Sequence, residues 1–305
     1  MEYVYQEDKV FVKICVRLKN KIRKVKIMQI GIRLHDTISA SLEERLKFIK
    51  EQGFSCAHVA LSKVIKEFPV DNSALTPGLA MYLKKLFAKY EIDIAVLGCY
   101  LNLAHPDPEK LKEIMDRYLA HIRFASILGC GVVGTETGAP NAQYKTEPAC
   151  YTEEALETFI KNLRPIVSYA EKMGVIFAIE PVRRHIVYDA KRAKRVLDEI
   201  DSPNLQIILD PVNLLETDNY EQQREAIEEA IDLLGDSVAV VHMKDFVIED
   251  NKIKSIAAGT GDLNYQPIIE FVKKRKPFIH CTLENTNPEN AVAARQYIEN
   301  LYNKI

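Results

Sequence analysis

Glu180, Asp210, His242 and Glu284 each follow an apolar run: Val175–Ile179, Leu205–Leu209, Val238–Val241 and Pro277–Leu283, respectively. A charge placed directly after a buried strand is expensive unless something pairs with it. Three carboxylates and one imidazole, brought together by one sheet, would make a ready donor set for a divalent cation. That set suits Mn²⁺, Mg²⁺ or Co²⁺, with Zn²⁺ possible. Separate ion pairs or strand-end caps would account for any one of the four alone, because ion-pair networks also place charges at strand ends. Four in consecutive order are harder to explain that way.

The elements that must position these groups are legible from periodicity. Apolar runs at 27–33, 55–61, 93–99, 130–134, 175–180, 205–210, 237–242 and 278–284 read as strands. Between them, apolar spacings of three and four mark helices at 40–52, 77–90, 107–128, 152–173, 189–200, 220–234, 266–274 and 289–303. Thr76-Pro77, Asp107-Pro108 and Thr152 followed by Glu153 and Glu154 are helix-start signals. Eight strands, each followed by a helix and uninterrupted by a linker, predict an α/β fold of the (β/α)8 TIM barrel type spanning 28–305 as one domain. A doubly wound open sheet is the rival, since periodicity cannot show closure; element count and length favour the barrel. Active sites of such barrels lie at the C-terminal ends of the strands, where the four residues stand on strands five to eight.

Further candidates surround the four. His185 lies five residues after Glu180, in a loop with Arg183, Arg184 and Tyr188, and is a candidate contact for a sugar hydroxyl, carboxylate or phosphate. His105, beside Pro106-Asp107-Pro108 after strand three, is a candidate for the pocket mouth or, equally, a structural turn residue. Glu136 ends the strand-four run and Lys244 follows His242 by two; for Lys244 and Asp245 a structural ion pair is the leading reading. Arg33 and His35 follow strand one, whereas His58 inside an apolar pattern reads as a satisfied core histidine. Gly259-Thr260-Gly261 matches neither a Walker loop nor a dinucleotide fingerprint and reads as a turn.

Composition narrows the partners. The 305 residues are 47% hydrophobic and 28% charged with a formal net charge of -2, so no broad basic face points to nucleic acid or a membrane surface. No apolar run approaches the roughly 20 residues of a membrane span. Six cysteines without a C-x-x-C pair imply free thiols and a cytoplasmic setting rather than a disulfide framework. Residues 1–27 are rich in lysine and arginine, with Lys13 splitting their apolar stretch. They read as a dispensable basic extension before a fold that opens at Met28, not as a secretory signal.

The segments Ala178–Pro181, Ile208–Asn213, Val241–Asp245, Gly259–Tyr265 and Leu283–Glu284, together with Gly31–Asp36 and Val96–Asp107, carry a family resemblance. From Met28 onward the chain resembles the sugar phosphate isomerase/epimerase family of the xylose isomerase-like TIM barrel superfamily. The resemblance implies a divalent metal held by Glu180, Asp210, His242 and Glu284 and a small carbohydrate substrate, and it is compatible with a homo-oligomer. It also implies that Glu180 and Glu284 transfer protons through a metal-stabilised enediolate, giving epimerisation across opposite faces or isomerisation to the neighbouring carbon. Where family members often carry a histidine after the strand-six aspartate, this chain has Asn213, kept as a candidate substrate contact. Ile186 replaces a second glutamate typical of ketose 3-epimerases, and Phe246–Ile248 replace an expected arginine. A lyase or dehydratase acting on a keto-sugar or inosose is the alternative. An endonuclease IV-like repair hydrolase is less well supplied, because seven histidines in all offer little for a multi-zinc cluster.

Overall fold

A computed structural model describes residues 28–305; the basic segment 1–27, including Cys15, lies outside the described residues. Eight parallel strands close into a ring: β1 (Gln29–Arg33), β2 (Cys56–Val59), β3 (Asp93–Gly98), β4 (Val132–Glu136), β5 (Ile176–Glu180), β6 (Leu205–Leu209), β7 (Val238–Met243) and a last strand, His280–Leu283, which pairs with both β7 and β1. The expected (β/α)8 barrel is therefore observed. Helices cover its outside: α1 (Leu42–Glu51), the short α2 (Leu61–Val64), α3 (Pro77–Lys89), α4 (Pro108–Leu128), α5 (Glu153–Met173), α6 (Ala190–Ile200), α7 (Gln223–Leu234), α8 (Gln266–Arg275) and α9 (Ala291–Lys304).

Local chemistry sets the helix starts. The Thr76 hydroxyl accepts the Leu79 N–H, Asp107 accepts from Glu109 and Lys110, and Thr152 accepts from Ala155. Each cap satisfies a donor that the first helical turn leaves open, worth about 1 kcal/mol. Ser41 and Glu44 form a reciprocal capping box at α1, a start that the sequence reading placed two residues early.

One element was not foreseen. After β7 an antiparallel hairpin, β8 (Asp245–Glu249) and β9 (Lys252–Ile256), projects from the ring, making the last barrel strand β10 (His280–Leu283). Its two-residue turn, Asp250-Asn251, has both residues at positive φ (51° and 54°), as a primed hairpin turn requires. Asp-Asn tolerates that conformation, so the turn was readable in principle. The Asp245 carboxylate then accepts the N–H groups of Phe246, Gly259 and Leu263, fastening the glycine-rich loop as a turn.

The ring interior positions the site. Val96, Ala178, Ile208 and Val240 form a small buried cluster separate from the large core of the molecule. Gly134 belongs to the same level: a Cβ there would lie 2.7 Å from both Val96 and Ile208. Because strand side chains alternate with period two, the residue two places beyond each inward position points inward again, one level higher. That rule aligns Glu136 above Gly134, Glu180 above Ala178, Asp210 above Ile208 and His242 above Val240.

Gly134→Ala should overpack this layer and lower stability by about 1–3 kcal/mol, read as a shifted denaturant midpoint with an unchanged slope. A neutral substitution would show that the interior gives way more easily than the close approach indicates.

Candidate metal centre

The upper inward level carries a polar or charged residue near or just past the end of every barrel strand: Arg33, His58, Tyr100, Glu136, Glu180, Asp210, His242 and Glu284. His242 is the hub. Its Nδ1 lies 3.4 Å from Glu180 Oε1, 3.4 Å from Glu284 Oε1 and 3.9 Å from Asp210 Oδ2, with all four side chains buried. Ligands about 2.1 Å from a shared ion and cis to one another are separated by about 3.0–3.4 Å, so the donor set fits a divalent metal with little rearrangement. The four do not form one compact group. They fall into two triads with mutually close donor atoms that share His242: Glu180–Asp210–His242 and His58–His242–Glu284.

Neighbouring polar groups hold the carboxylates. Asp210 Oδ1 accepts the backbone N–H groups of Val212 and Asn213, capping the short turn that follows β6. Asn213 Nδ2 donates to Glu180 Oε1 at 2.6 Å, and its Oδ1 accepts from Lys244 Nζ at 2.8 Å. Lys244, buried, also lies 2.8 Å from Asp210 Oδ2 and 3.7 Å from Glu284 Oε2. Arg33 reaches Glu284 at 3.4 Å while bonded to Asp36. Lys244 and Asn213 are thus braced against the carboxylates.

These contacts set the protonation states. Burial alone would raise the Glu284 carboxyl, but His242, Lys244 and Arg33 hold it well below the usual carboxylate range. Burial would lower His242, yet Glu284, Glu180 and Asp210 outweigh it and raise the imidazole to about 9. Asp210 is pushed up to about 6 by burial, with Lys244 opposing and Glu180 and Glu284 adding to the rise. Without a metal, Arg33, Lys244 and protonated His242 balance the three carboxylates.

The remaining candidates divide. Glu136 and His185 come together, with Glu136 Oε2 3.7 Å from His185 Nδ1; Tyr144, which the sequence reading did not single out, donates to Glu136 Oε2 at 3.3 Å and meets the His185 ring edge-on. Burial and the Glu180 charge raise Glu136 to about 7, while burial lowers His185 to about 4. Tyr144 sits at φ 54°, uncommon for an aromatic residue, and no sequence signal marks it. His105 lies elsewhere: its Nδ1 accepts the Asp107 N–H at the start of α4, and the residue lines a groove with Pro106, Leu111 and Asn162. Arg183 and Arg184 are paired with Asp218 and Glu216.

The reading of His58 as a satisfied core histidine is corrected. It is buried, but its Nδ1 has no hydrogen-bond partner among the described residues and lies 3.8 Å from Glu284 Oε1. Period-two counting from Cys56, applied to all eight strands rather than to the last four, would have found both His58 and Tyr100.

A family model described as xylose isomerase-like TIM barrel matches residues 46–302. The chain belongs to this family. No protein with a curated description matches it in sequence. Among solved structures that resemble this member, a D-tagatose 3-epimerase-like protein is 21% identical with a TM-score of 0.70, covering 91% of this chain and 99% of the other. The 3-keto-D-glucoside 4-epimerase of E. coli is 16% identical with a TM-score of 0.67, covering 90% and 99%. The IOLI protein with a binding zinc atom is 18% identical with a TM-score of 0.66, covering 91% and 96%. At these identities the likenesses establish the shared fold. No helix among the described residues is long and apolar enough to cross a membrane.

Two measurements check the electrostatics in metal-free protein. Lys244→Met strands Asp210 and Glu284 without their buried cation and should cost about 3–5 kcal/mol in urea unfolding, partly recovered on adding a divalent ion. The folded pKa of His242 stands above its ordinary 6.5, so the stability it adds is complete below about pH 6.5 and disappears as pH rises through about 9. The stability difference between wild type and His242→Asn should therefore shrink over that interval. A flat difference would mean the buried ring carries no extra proton.

Proposed function

We propose that the protein is a divalent-metal-dependent isomerase or epimerase of a small sugar or sugar derivative. The observation that carries this reading is the placement of three buried carboxylates within 3.9 Å of His242 Nδ1 at the C-terminal mouth of the barrel. The epimerase descriptions of two solved neighbours and the zinc of a third agree with it. Glu180, Asp210, His242 and Glu284 would hold the ion, which when bound would polarise a substrate carbonyl and stabilise the negative charge left by a departing α-proton.

The rest of the chemistry belongs to the chain. Glu180 ends β5 and Glu284 directly follows β10, separated around the ring by β6 and β7, and so they approach a substrate in the mouth from different sides. One carboxylate takes the α-proton and the other returns a proton, to the opposite face for epimerisation or to the adjacent carbon for isomerisation. Glu284 is held ionised by its cationic neighbours, the protonation state a general base requires. Asn213 and Lys244 fix the donor set, while Glu136 and His185 on the β4–β5 side face the remaining substrate hydroxyls.

Glu136 supports the second reading, a dehydratase. A carboxyl raised to about 7 near Tyr144 and His185 holds a proton for part of the time at neutral pH and could deliver it to a departing hydroxyl.

A panel of ketoses, aldoses, inositols and keto-sugars, incubated with Mn²⁺ in D₂O and followed by NMR, separates the two. An isomerase or epimerase incorporates deuterium at the reacting carbon without loss of water; a dehydratase yields the unsaturated or deoxy-keto product. Glu180→Gln and Glu284→Gln should each reduce turnover and exchange by about 100-fold or more. Full turnover in both variants would remove them from the proton-transfer roles.

A further inference from the structure

We infer that His58 is an additional donor to the metal centre, giving this chain a two-imidazole, three-carboxylate set that favours borderline ions such as Zn²⁺ and Co²⁺ over Mg²⁺. The inference rests on the metal-dependent reading above and concerns a residue that the Glu-Asp-His-Glu pattern does not include.

Several independent features converge on this ring. His58 is fully buried on β2, yet Nδ1 has no hydrogen-bond partner among the described residues. A buried polar atom left unsatisfied is uncommon and calls for a physical account. That nitrogen lies 3.8 Å from Glu284 Oε1, and His58, His242 and Glu284 offer donor atoms all within 4.8 Å of one another. The 3.8 Å separation falls between the about 3.0 Å of cis ligands and the about 4.2 Å of trans ligands around an ion with bonds of about 2.1 Å.

The opposite side of the ring is arranged to match. Nε2 lies 3.2 Å from the Tyr100 hydroxyl. If Nε2 carries the proton and donates to the Tyr100 oxygen, Nδ1 presents its lone pair to the site, which is how metal-bound histidines are commonly held. The backbone makes room for this pair: a Cβ on Gly98 would lie 2.5 Å from His58 Nε2 and 2.8 Å from the Tyr100 ring. The ring also packs against His242, with centroids 5.2 Å apart and planes 21° from parallel. A histidine serving only as core filler needs neither the Tyr100 partner nor an open nitrogen facing a carboxylate.

The chemical consequence is selectivity. Carboxylate and water suit Mg²⁺, whereas each added imidazole strengthens the claim of Zn²⁺ and Co²⁺. Removing the ring should therefore weaken binding of those two ions while leaving Mg²⁺ nearly untouched.

The test uses the full chain stripped with chelator and titrated with Zn²⁺, Co²⁺ and Mg²⁺ alone. His58→Asn and His58→Phe are compared with wild type, the phenylalanine retaining the volume and the stacking on His242, with circular dichroism and thermal unfolding confirming the fold. We expect Zn²⁺ and Co²⁺ affinities to fall about 10–100-fold, Mg²⁺ affinity to change less than about threefold, and the visible Co²⁺ spectrum to shift. In ¹⁵N NMR of histidine-labelled wild type, Zn²⁺ should move the His58 Nδ1 resonance to a metal-bound position. Unchanged affinities and Co²⁺ spectra in both variants, or a His58 Nδ1 resonance indifferent to Zn²⁺, would overturn the inference while leaving the functional reading intact. A wild type that binds none of the three ions would sink both.

Discussion

Three carboxylates forced toward one imidazole inside a dry barrel mouth cannot remain uncompensated, and much of the surrounding structure follows from that constraint. Burial withholds water from Glu180, Asp210 and Glu284, so their mutual repulsion must be met by cations fixed in place. Lys244 meets Asp210 and Glu284, Arg33 meets Glu284, and His242 stands among all three carboxylates. Asn213 ties Glu180 to Lys244, so the negative and positive partners are joined in one hydrogen-bonded chain. A divalent ion entering this set would take over part of the compensation from protonated His242, which links metal uptake to proton release.

The barrel makes the arrangement possible through its period-two alternation. Small or aliphatic residues fill the inner layer, and the next inward residue on each strand carries the chemistry. Gly134 lets Val96 and Ile208 close beneath the site, and Gly98 leaves space for His58 and Tyr100 to face each other. The donor side chains are therefore seated on the strands or immediately past their ends, and rigidity of the ring becomes rigidity of the donor set. The loops add further polar contacts to this frame: Asn213 after β6, and Tyr144 with His185 around Glu136.

Two carboxyl environments sit side by side. Glu284, surrounded by cations, stays ionised, whereas Glu136, on the neighbouring strand to Glu180 and facing its charge, is raised to about 7. The mouth thus holds a proton acceptor and a proton reservoir at the same pH. That division would suit proton shuttling at a substrate carbon and equally the protonation of a leaving hydroxyl, so the fold alone does not choose between the two reactions.

Much of this was legible in the chain. Strand and helix alternation reported the barrel, since hydrophobic period is imposed by which face each element buries. The four strand-end groups stood out because an ionisable residue directly after an apolar run has no local way to offset its burial. Tertiary structure decided the rest. Whether Lys244 pairs with Asp245 or with Asp210 depends on which strands close the ring; it chose Asp210, and Asp245 turned away to hold the Gly259 loop. Whether His58 is core or site depends on what faces it across the barrel, and His105 fell into a separate groove because its loop turns directly into α4. Tyr144 reaches Glu136 only through a left-handed backbone conformation fixed by its loop. Local sequence encodes periodicity and burial; partnership across the ring is a property of closure, which no single segment contains.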